Sequence, residues 1–509
     1  VGTVIPYMPT AKNLDPGAHR EELAAFPRSI DVLWADFYPS SATVLALRHE
    51  LGLPCRAILY AGGTLPKGAE AMLFPWQEIL RPDDDLIFTC EADREIWHRL
   101  VKPSALREWV VPCPIDDTVF RPRAASDRST ARARHGLPAD APLLLYVGRR
   151  NIQKNLHSLL RLLAQVRREI PDTHLCLVGE EDDIALGEFG VRNTGYPDYL
   201  GPLAAKLGVP DAVTFIGVQF GDDLAELYAA ADVVVNLSFY HRENFGMSLA
   251  EAQACGVPVV CSGWGGFKDV VQHGETGYLA DAVLTKHGIR VDWTSAAVHV
   301  IELLRDSGRH ARMGAHAAKL AHERFGTRPV AEQLGAILAE DHRANGRAAR
   351  NPDTPSYEPS AFARRYEEHK RTCGWYAPDD EAMWYPPMFQ GRDYNLYETL
   401  MGPYATRLAA DLSPGAIDAS WVPYFPSKVR LDRVRLIAQD CDPVWPHRRF
   451  ARKVEWQALR RIDGVSSVAR IIDTITGDGP GIEPAAITAA RWLLHLEGFV
   501  LFMPPGMPG

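Results

Sequence analysis

Short apolar runs alternate with amphipathic stretches along the first two thirds of the chain, and the alternation occurs twice. In the first set, apolar segments at 2–5, 31–34, 56–60 and 85–89 are separated by helical stretches such as 41–51, which predicts an α/β unit. A polar connection rich in Arg, Ala and Ser follows at 121–134. The second set, over 141–323, repeats the pattern with runs at 143–147, 174–178, 212–216, 233–237 and 257–261, each followed by a helix-like segment. Runs that are apolar throughout, rather than at every second position, predict parallel strands buried on both faces. A helix is expected over 329–341.

Two of these strand ends carry candidate chemistry. The run 143–147 stops at Gly148 and releases Arg149, Arg150 and, after a short loop, Lys154. Alone, such cations describe a solvated edge. At the carboxyl end of a parallel strand they also stand where open α/β sheets bind ligands, and two cations can neutralise a diphosphate without a metal. The second element is Arg-Glu-Asn-Phe-Gly-Met-Ser-Leu-Ala-Glu-Ala-Gln-Ala-Cys-Gly, residues 242–256. Gly246 can open a helix over 247–255, with Glu243 in the loop before it and Glu251 about one turn inside. The free N–H groups of Gly246, Met247 and Ser248 then face the helix mouth, and a phosphate is their natural occupant. A carboxylate such as Glu251 can accept two hydroxyl hydrogen bonds, which suits a vicinal diol like ribose. Together the two elements suit an anionic sugar donor.

The segments Gly148-Arg149 with Lys154, Phe215-Ile216-Gly217, Ala231-Asp232-Val233, 243–251, 254–260, Gly265-Gly266 and Gly274-Glu275-Thr276-Gly277 resemble the family-4 glycosyltransferases of the GT-B fold. Val111-Pro112 with Asp116, Phe120 and Pro122 extends the likeness, which covers roughly 31–338. It implies two Rossmann-like lobes facing across a cleft: an acceptor lobe over 1–122, shortened, and a nucleotide-sugar lobe with its crossing helix over 123–347. It further implies that Arg149 and Lys154 hold the diphosphate, Glu251 the ribose and Glu243 the transferred sugar. The backbone of Phe245, Gly246, Met247 and Ser248 would cradle phosphate and sugar hydroxyls, with Val218 and Gly179 near the base. The implied activity is retaining and metal-independent transfer from a nucleotide-diphosphate sugar, a UDP-sugar ahead of a GDP-sugar. The acceptor would be a hydroxyl or amine of a small molecule, glycan or peptide. No cofactor is expected. The rival reading is a catalytically inactive nucleotide-sugar-binding scaffold.

Composition narrows the setting. With 509 residues, 46% of them hydrophobic, the chain can bury two to three cores. A formal charge of −9 argues against nucleic acid as a partner. Eight cysteines without a Cys-x-x-Cys pair indicate neither zinc nor a disulfide framework, so a reducing cytoplasm is expected. No apolar run approaches the roughly 20 residues of a membrane span, although peripheral membrane contact through an amphipathic helix stays open.

On the acceptor side, aromatic residues at strand ends and one turn are the candidates: Tyr7, Tyr38, Tyr60, Gly62 and Gly63. Core packing is the competing reading for the tyrosines. His241 and Arg242 either touch a sugar or belong to a plain surface loop. Asp83-Asp84-Asp85, which resembles the Asp-x-Asp cation motif of a different glycosyltransferase fold, reads as a solvated turn after Arg81-Pro82.

Residues 348–509 form an accessory, mostly helical domain in this reading. It contains Trp375, Trp384, Trp421, Trp445, Trp456 and Trp492, six of the chain's twelve tryptophans, so it has aromatic surface to pack. Its end reads as helices at 460–464, 468–475 and 484–497 and a strand at 498–502, an order similar to a small winged-helix unit. Such a unit could dock a carrier, a peptide or a second subunit, or could simply stiffen the fold or a homodimer.

Overall fold

Apolar runs become parallel strands in the two larger sheets of the computed structural model, which describes residues 30–36, 39–61, 80–100, 106–151, 154–182, 196–240, 243–285, 288–339, 402–409, 422–424, 466–476 and 501–503. The chain divides into two units, 1–113 with 330–379, and 114–329 with 380–509. Several expectations lie outside the described residues: the strand at 2–5, Tyr7, Tyr38, Gly62, Gly63, His241, Arg242, the six tryptophans of the tail, and the helices at 460–464 and 484–497.

In the first unit, β1 (Val32–Asp36), β2 (Arg56–Ala61), β3 (Asp85–Phe88) and β4 (Arg107–Val110) form a sheet in that order, each neighbouring pair parallel. Helices Pro39–Glu50 and Glu91–Leu100 follow β1 and β3. Ile58, Ile87 and Val111 pack against Val330 and Ile337 of the helix Thr327–Ala339. The Arg56 guanidinium also donates to the Ile337 carbonyl at 2.8 Å.

The Asp83–Asp85 turn corrects the solvated-loop reading, since Asp84 and Asp85 are fully buried. Arg48 grips both oxygens of Asp84 at 2.6 Å, and the backbone N–H groups of Ala57 and Arg81 donate to the same carboxylate at 2.8 Å. Asp85 accepts from Arg56 at 2.6 Å and from Arg107 and Trp109 at 2.8 Å. Buried carboxylates persist only when paired in this way, and here they tie β3 to β2 and β4.

In the second unit, β5 (Leu143–Val147), β6 (His174–Val178), β7 (Val213–Ile216), β8 (Val233–Asn236), β9 (Val259–Ser262) and β10 (Gly277–Ala280) make one sheet in the order β7-β6-β5-β8-β9-β10. All pairs are parallel. Taken in chain order this is the doubly wound 3-2-1-4-5-6 arrangement, which reverses direction between β5 and β8 and opens a crevice at their carboxyl ends. Its core joins Leu144, Tyr146 and Leu177 of the sheet to Leu159 and Leu163 of the helix Leu156–Glu169.

The polar connection at 121–134 is also corrected: it folds as the helix Ala125–Arg134. Arg132, only 1% exposed, donates to the carbonyls of Ala230, Pro138, Ala139 and Ala141, so its charge is anchored inside rather than solvated.

From the tail, β13 (Arg407–Ala409) joins β11 (Ala282–Thr285) in parallel, and β12 (Gly288–Val291) flanks β11 antiparallel. A helix spans Val468–Thr476, and β14 (Val422–Tyr424) pairs antiparallel with β15 (Leu501–Met503). Among the described residues no helix is long and apolar enough to cross a membrane.

Candidate active site

The loops that leave β5 and β8 meet at the switch point of the six-stranded sheet. Gly148 continues β5 at φ +152°, and a Cβ at Gly179, after β6, would lie 2.0 Å from the Gly148 carbonyl oxygen. Glycine at 179 therefore lets the two loops touch backbone to backbone. Arg149 leaves this junction half-exposed, and its Nη1 pairs with Asp182 at 2.6 Å. Burial of the guanidinium opposes its charge, but Asp182 and Tyr240 outweigh burial and hold its pKa above the ordinary arginine value. Asn151 donates to the same Asp182 oxygen at 3.0 Å and accepts the Lys154 N–H at 3.2 Å.

Lys154 is mostly buried and forms an ion pair with Glu243, in the loop between β8 and the next helix. Ser238 donates to the same Glu243 oxygen at 3.1 Å. Tyr240 lies beneath both cations, its ring centroid 5.0 Å from Lys154 Nζ and 6.0 Å from Arg149 Cζ. Attraction of a cation to an aromatic face holds each head group without neutralising it. Arg150, by contrast, is buried, donates to the Ile216 carbonyl at 3.1 Å and lies over the Phe215 ring.

Gly246 adopts φ +100° and caps the helix Met247–Ala254; a Cβ there would meet the Phe267 ring at 2.6 Å. The first helical bonds run from Leu249 and Ala250 to the Gly246 carbonyl, so the N–H groups of Gly246, Met247 and Ser248 precede the ladder. The Phe245 side chain is buried edge-to-face on Phe325, 5.3 Å between centroids, so only its backbone can serve a ligand. Glu251 accepts the Tyr228 hydroxyl at 2.9 Å. Burial pushes its pKa up to about 7, against the lowering effect of that hydrogen bond.

The structure thus brings Arg149 and Lys154 over one aromatic ring and pairs Lys154 with Glu243, with Glu251 in the helix that follows. Val218, exposed, comes after β7, and Gly179 lies against the Gly148 carbonyl. Tyr60, of the first unit, is partly buried, 5.6 Å from the Trp34 ring and 3.7 Å from the Cys113 sulfur. Tyr240, Asp182, Ser238 and Tyr228 are missed by motif reading. The first three follow strands β8 and β6, so position at a strand end was the available signal; Tyr228, inside a helix, offered none.

Comparison with known proteins gives consistent matches. The family model described as glycosyl transferases group 1 matches residues 127–320. D-inositol 3-phosphate glycosyltransferases of Stackebrandtia nassauensis and Thermobispora bispora are each 31% identical to the chain, with 60% and 64% of this chain covering 68% and 74% of theirs. N-acetyl-alpha-D-glucosaminyl L-malate synthase of Bacillus anthracis is 30% identical, over 47% of this chain and 55% of that one. Among solved structures, sucrose-phosphate synthase of Thermosynechococcus elongatus is 26% identical with a TM-score of 0.51, covering 65% of this chain and 79% of its own. HepE of Anabaena, in complex with UDP, is 21% identical with a TM-score of 0.53, over 62% and 81%. The fold is the α/β GT-B type. Since the matched family segment contains Arg149, Lys154, Glu243 and Glu251, and the relatives at 31% identity are covered over more than two thirds of their length, this chain belongs to the group 1 glycosyltransferases.

Proposed function

We propose that this glycosyltransferase moves a sugar from a nucleoside diphosphate to a hydroxyl of a small polar acceptor, with retention at the anomeric carbon and without a metal ion. The observation that carries this reading is the placing of Arg149 and Lys154 over Tyr240, with Glu243 paired to Lys154, at the carboxyl ends of β5 and β8. Transfer breaks the anomeric C–O bond, and negative charge builds on the departing diphosphate. Arg149 can fork onto phosphate oxygens, Lys154 acts as a point charge, and the N–H groups before the helix Met247–Ala254 complete the neutralisation. Glu243 then orients the sugar, and Glu251 receives the ribose hydroxyls. The acceptor oxygen attacks from the side the leaving group vacates, and its proton passes to a diphosphate oxygen.

A UDP-sugar donor is favoured by the Anabaena neighbour, described in complex with UDP and with UDP and glucose. A small acceptor is favoured by the relatives' names, which specify inositol 3-phosphate and L-malate. We assign residues 1–122 to the acceptor side and 123–347 to the donor side.

The test is thermal stabilisation of the purified chain by UDP-, GDP-, ADP- and dTDP-sugars, since a tight ligand raises the melting point by mass action. Transfer from the best donor to inositol 3-phosphate and to malate follows, with the product's anomeric configuration read by NMR. An inverted product would refute retention; absence of stabilisation by every donor would refute nucleotide-sugar dependence.

A further inference from the structure

A short piece of the tail is built into the donor unit. Tyr404 is fully buried, and its ring stacks on Trp264 with 5.6 Å between centroids and 23° between planes. Its carbonyl accepts the Gly265 N–H at 2.8 Å, and the next carbonyl, of Ala405, accepts Lys268 Nζ at 3.1 Å. Thr406 donates its N–H to the Ala282 carbonyl at 3.0 Å and accepts the Ala282 N–H on its hydroxyl at 2.9 Å, across 124 positions of sequence. The receiving loop is shaped for this segment. A Cβ at Gly263 would lie 2.2 Å from a Thr406 methyl, and one at Gly265 would lie 2.5 Å from the Tyr404 ring.

The same loop holds the site from its other side. Trp264 Nε1 donates to the Tyr240 carbonyl at 2.8 Å, and the Tyr240 ring underlies Arg149 and Lys154. Gly266 donates to the Glu243 carbonyl at 3.3 Å, and a Cβ at Gly265 would come within 2.1 Å of that oxygen. A loop with glycine at 263, 265 and 266 has little stiffness of its own, so its shape depends on what packs against it.

We propose that residues 402–406 are a working part of the active site, in which Tyr404 is a positioning residue acting through Trp264 and Gly265 on the loop that carries Tyr240 and Glu243. The proposal rests on the donor site assigned above. Its test compares the full-length chain with Tyr404→Ala, Tyr404→Phe and Thr406→Val by hydrogen exchange without ligand and by calorimetric titration with UDP. Tyr404→Ala speeds amide exchange across 238–246 while β5 and β6 stay as protected as in the parent, and it weakens UDP binding by about 10-fold. Tyr404→Phe, which keeps the ring and the carbonyl, restores both. Thr406→Val, a milder change that keeps the fold should Tyr404→Ala lose it, moves exchange at 238–246 in the same direction by less. Unchanged exchange at 238–246 in both Tyr404→Ala and Thr406→Val, or a uniform rise across the unit, overturns the proposal. If the parent binds no nucleoside diphosphate, the functional reading fails while the exchange comparison still decides whether the tail sets this loop.

Discussion

Lys154 and Glu243, 89 positions apart, form an ion pair in which both side chains are largely shielded from water. Lys154 is thus held against Glu243 as Arg149 is held against Asp182, and in the proposed reading a diphosphate must compete with Glu243 for Lys154. Glu243→Ala should leave UDP binding unchanged or tighten it a few-fold, because Lys154 is released, while turnover falls roughly 100-fold through loss of sugar orientation. Calorimetry with UDP alongside steady-state kinetics separates the two effects. A parallel loss in both would mean that Glu243 serves the diphosphate instead.

Arg149 is fixed by a single Nη1 contact to Asp182 at 2.6 Å and by the Tyr240 face, which leaves the rest of its planar fork for phosphate oxygens in the proposed reading. Lysine keeps the charge but has neither the fork nor the plane. Arg149→Lys should thus lower kcat/KM by about 10-fold and Arg149→Ala by about 100-fold, as measured with the preferred donor. Equal activity of Arg149→Lys and the parent would reduce Arg149 to a simple counter-charge.

Glu251 brings a pH dependence with a definite sign. Burial raises its pKa in the folded chain from 4.5 to about 7, so the folded state binds a proton that the unfolded state releases. Stability linked to this group is highest below pH 4.5, declines as pH rises towards 7, and the cost is complete above it. Glu251→Gln should remove that decline and stabilise the chain above pH 7 by on the order of 2 kcal/mol, allowing for partial solvent screening. The same variant should bind the donor more weakly, since an amide accepts fewer hydroxyl bonds than a carboxylate. Urea titrations between pH 5 and about 8 provide the check.

In the first unit, Asp85→Asn leaves Arg56 and Arg107 with an uncompensated share of buried charge. Loss of one partner from a buried pair costs about 3–5 kcal/mol. Urea unfolding of Asp85→Asn beside the parent measures that loss, to which the Trp109 indole, donating to Asp85 at 2.8 Å, also contributes.

Strands β5 and β6 coincide with their apolar runs because both are buried in the middle of the sheet, where hydrophobicity alone sets the limits. β9 starts at Val259 instead of 257, since the Val257 N–H closes the preceding helix on the Ala252 carbonyl. β4 is not foreseen: Arg-Glu-Trp-Val lacks an apolar run, and its Arg107 is matched by a residue on another strand. The turn at 83–85 and the segment at 121–134 mislead for the same reason. Local polarity signals water, whereas Arg48, Asp84 and Arg132 find their partners far along the chain. The candidate cations are legible because they stand just past an apolar run, and the candidate carboxylates because they flank the glycine that opens a helix. Asp182 and Tyr240 are not, because their value lies in what they hold.

The backbone contact between Gly148 and Gly179 makes two loops a single mechanical piece. Any branch introduced at 179 would pry apart the supports of Arg149 and Asp182 together. Attempts to retune the loop at 179–182 will therefore register first as a loosened arginine, whatever new ligand the substitution was meant to welcome.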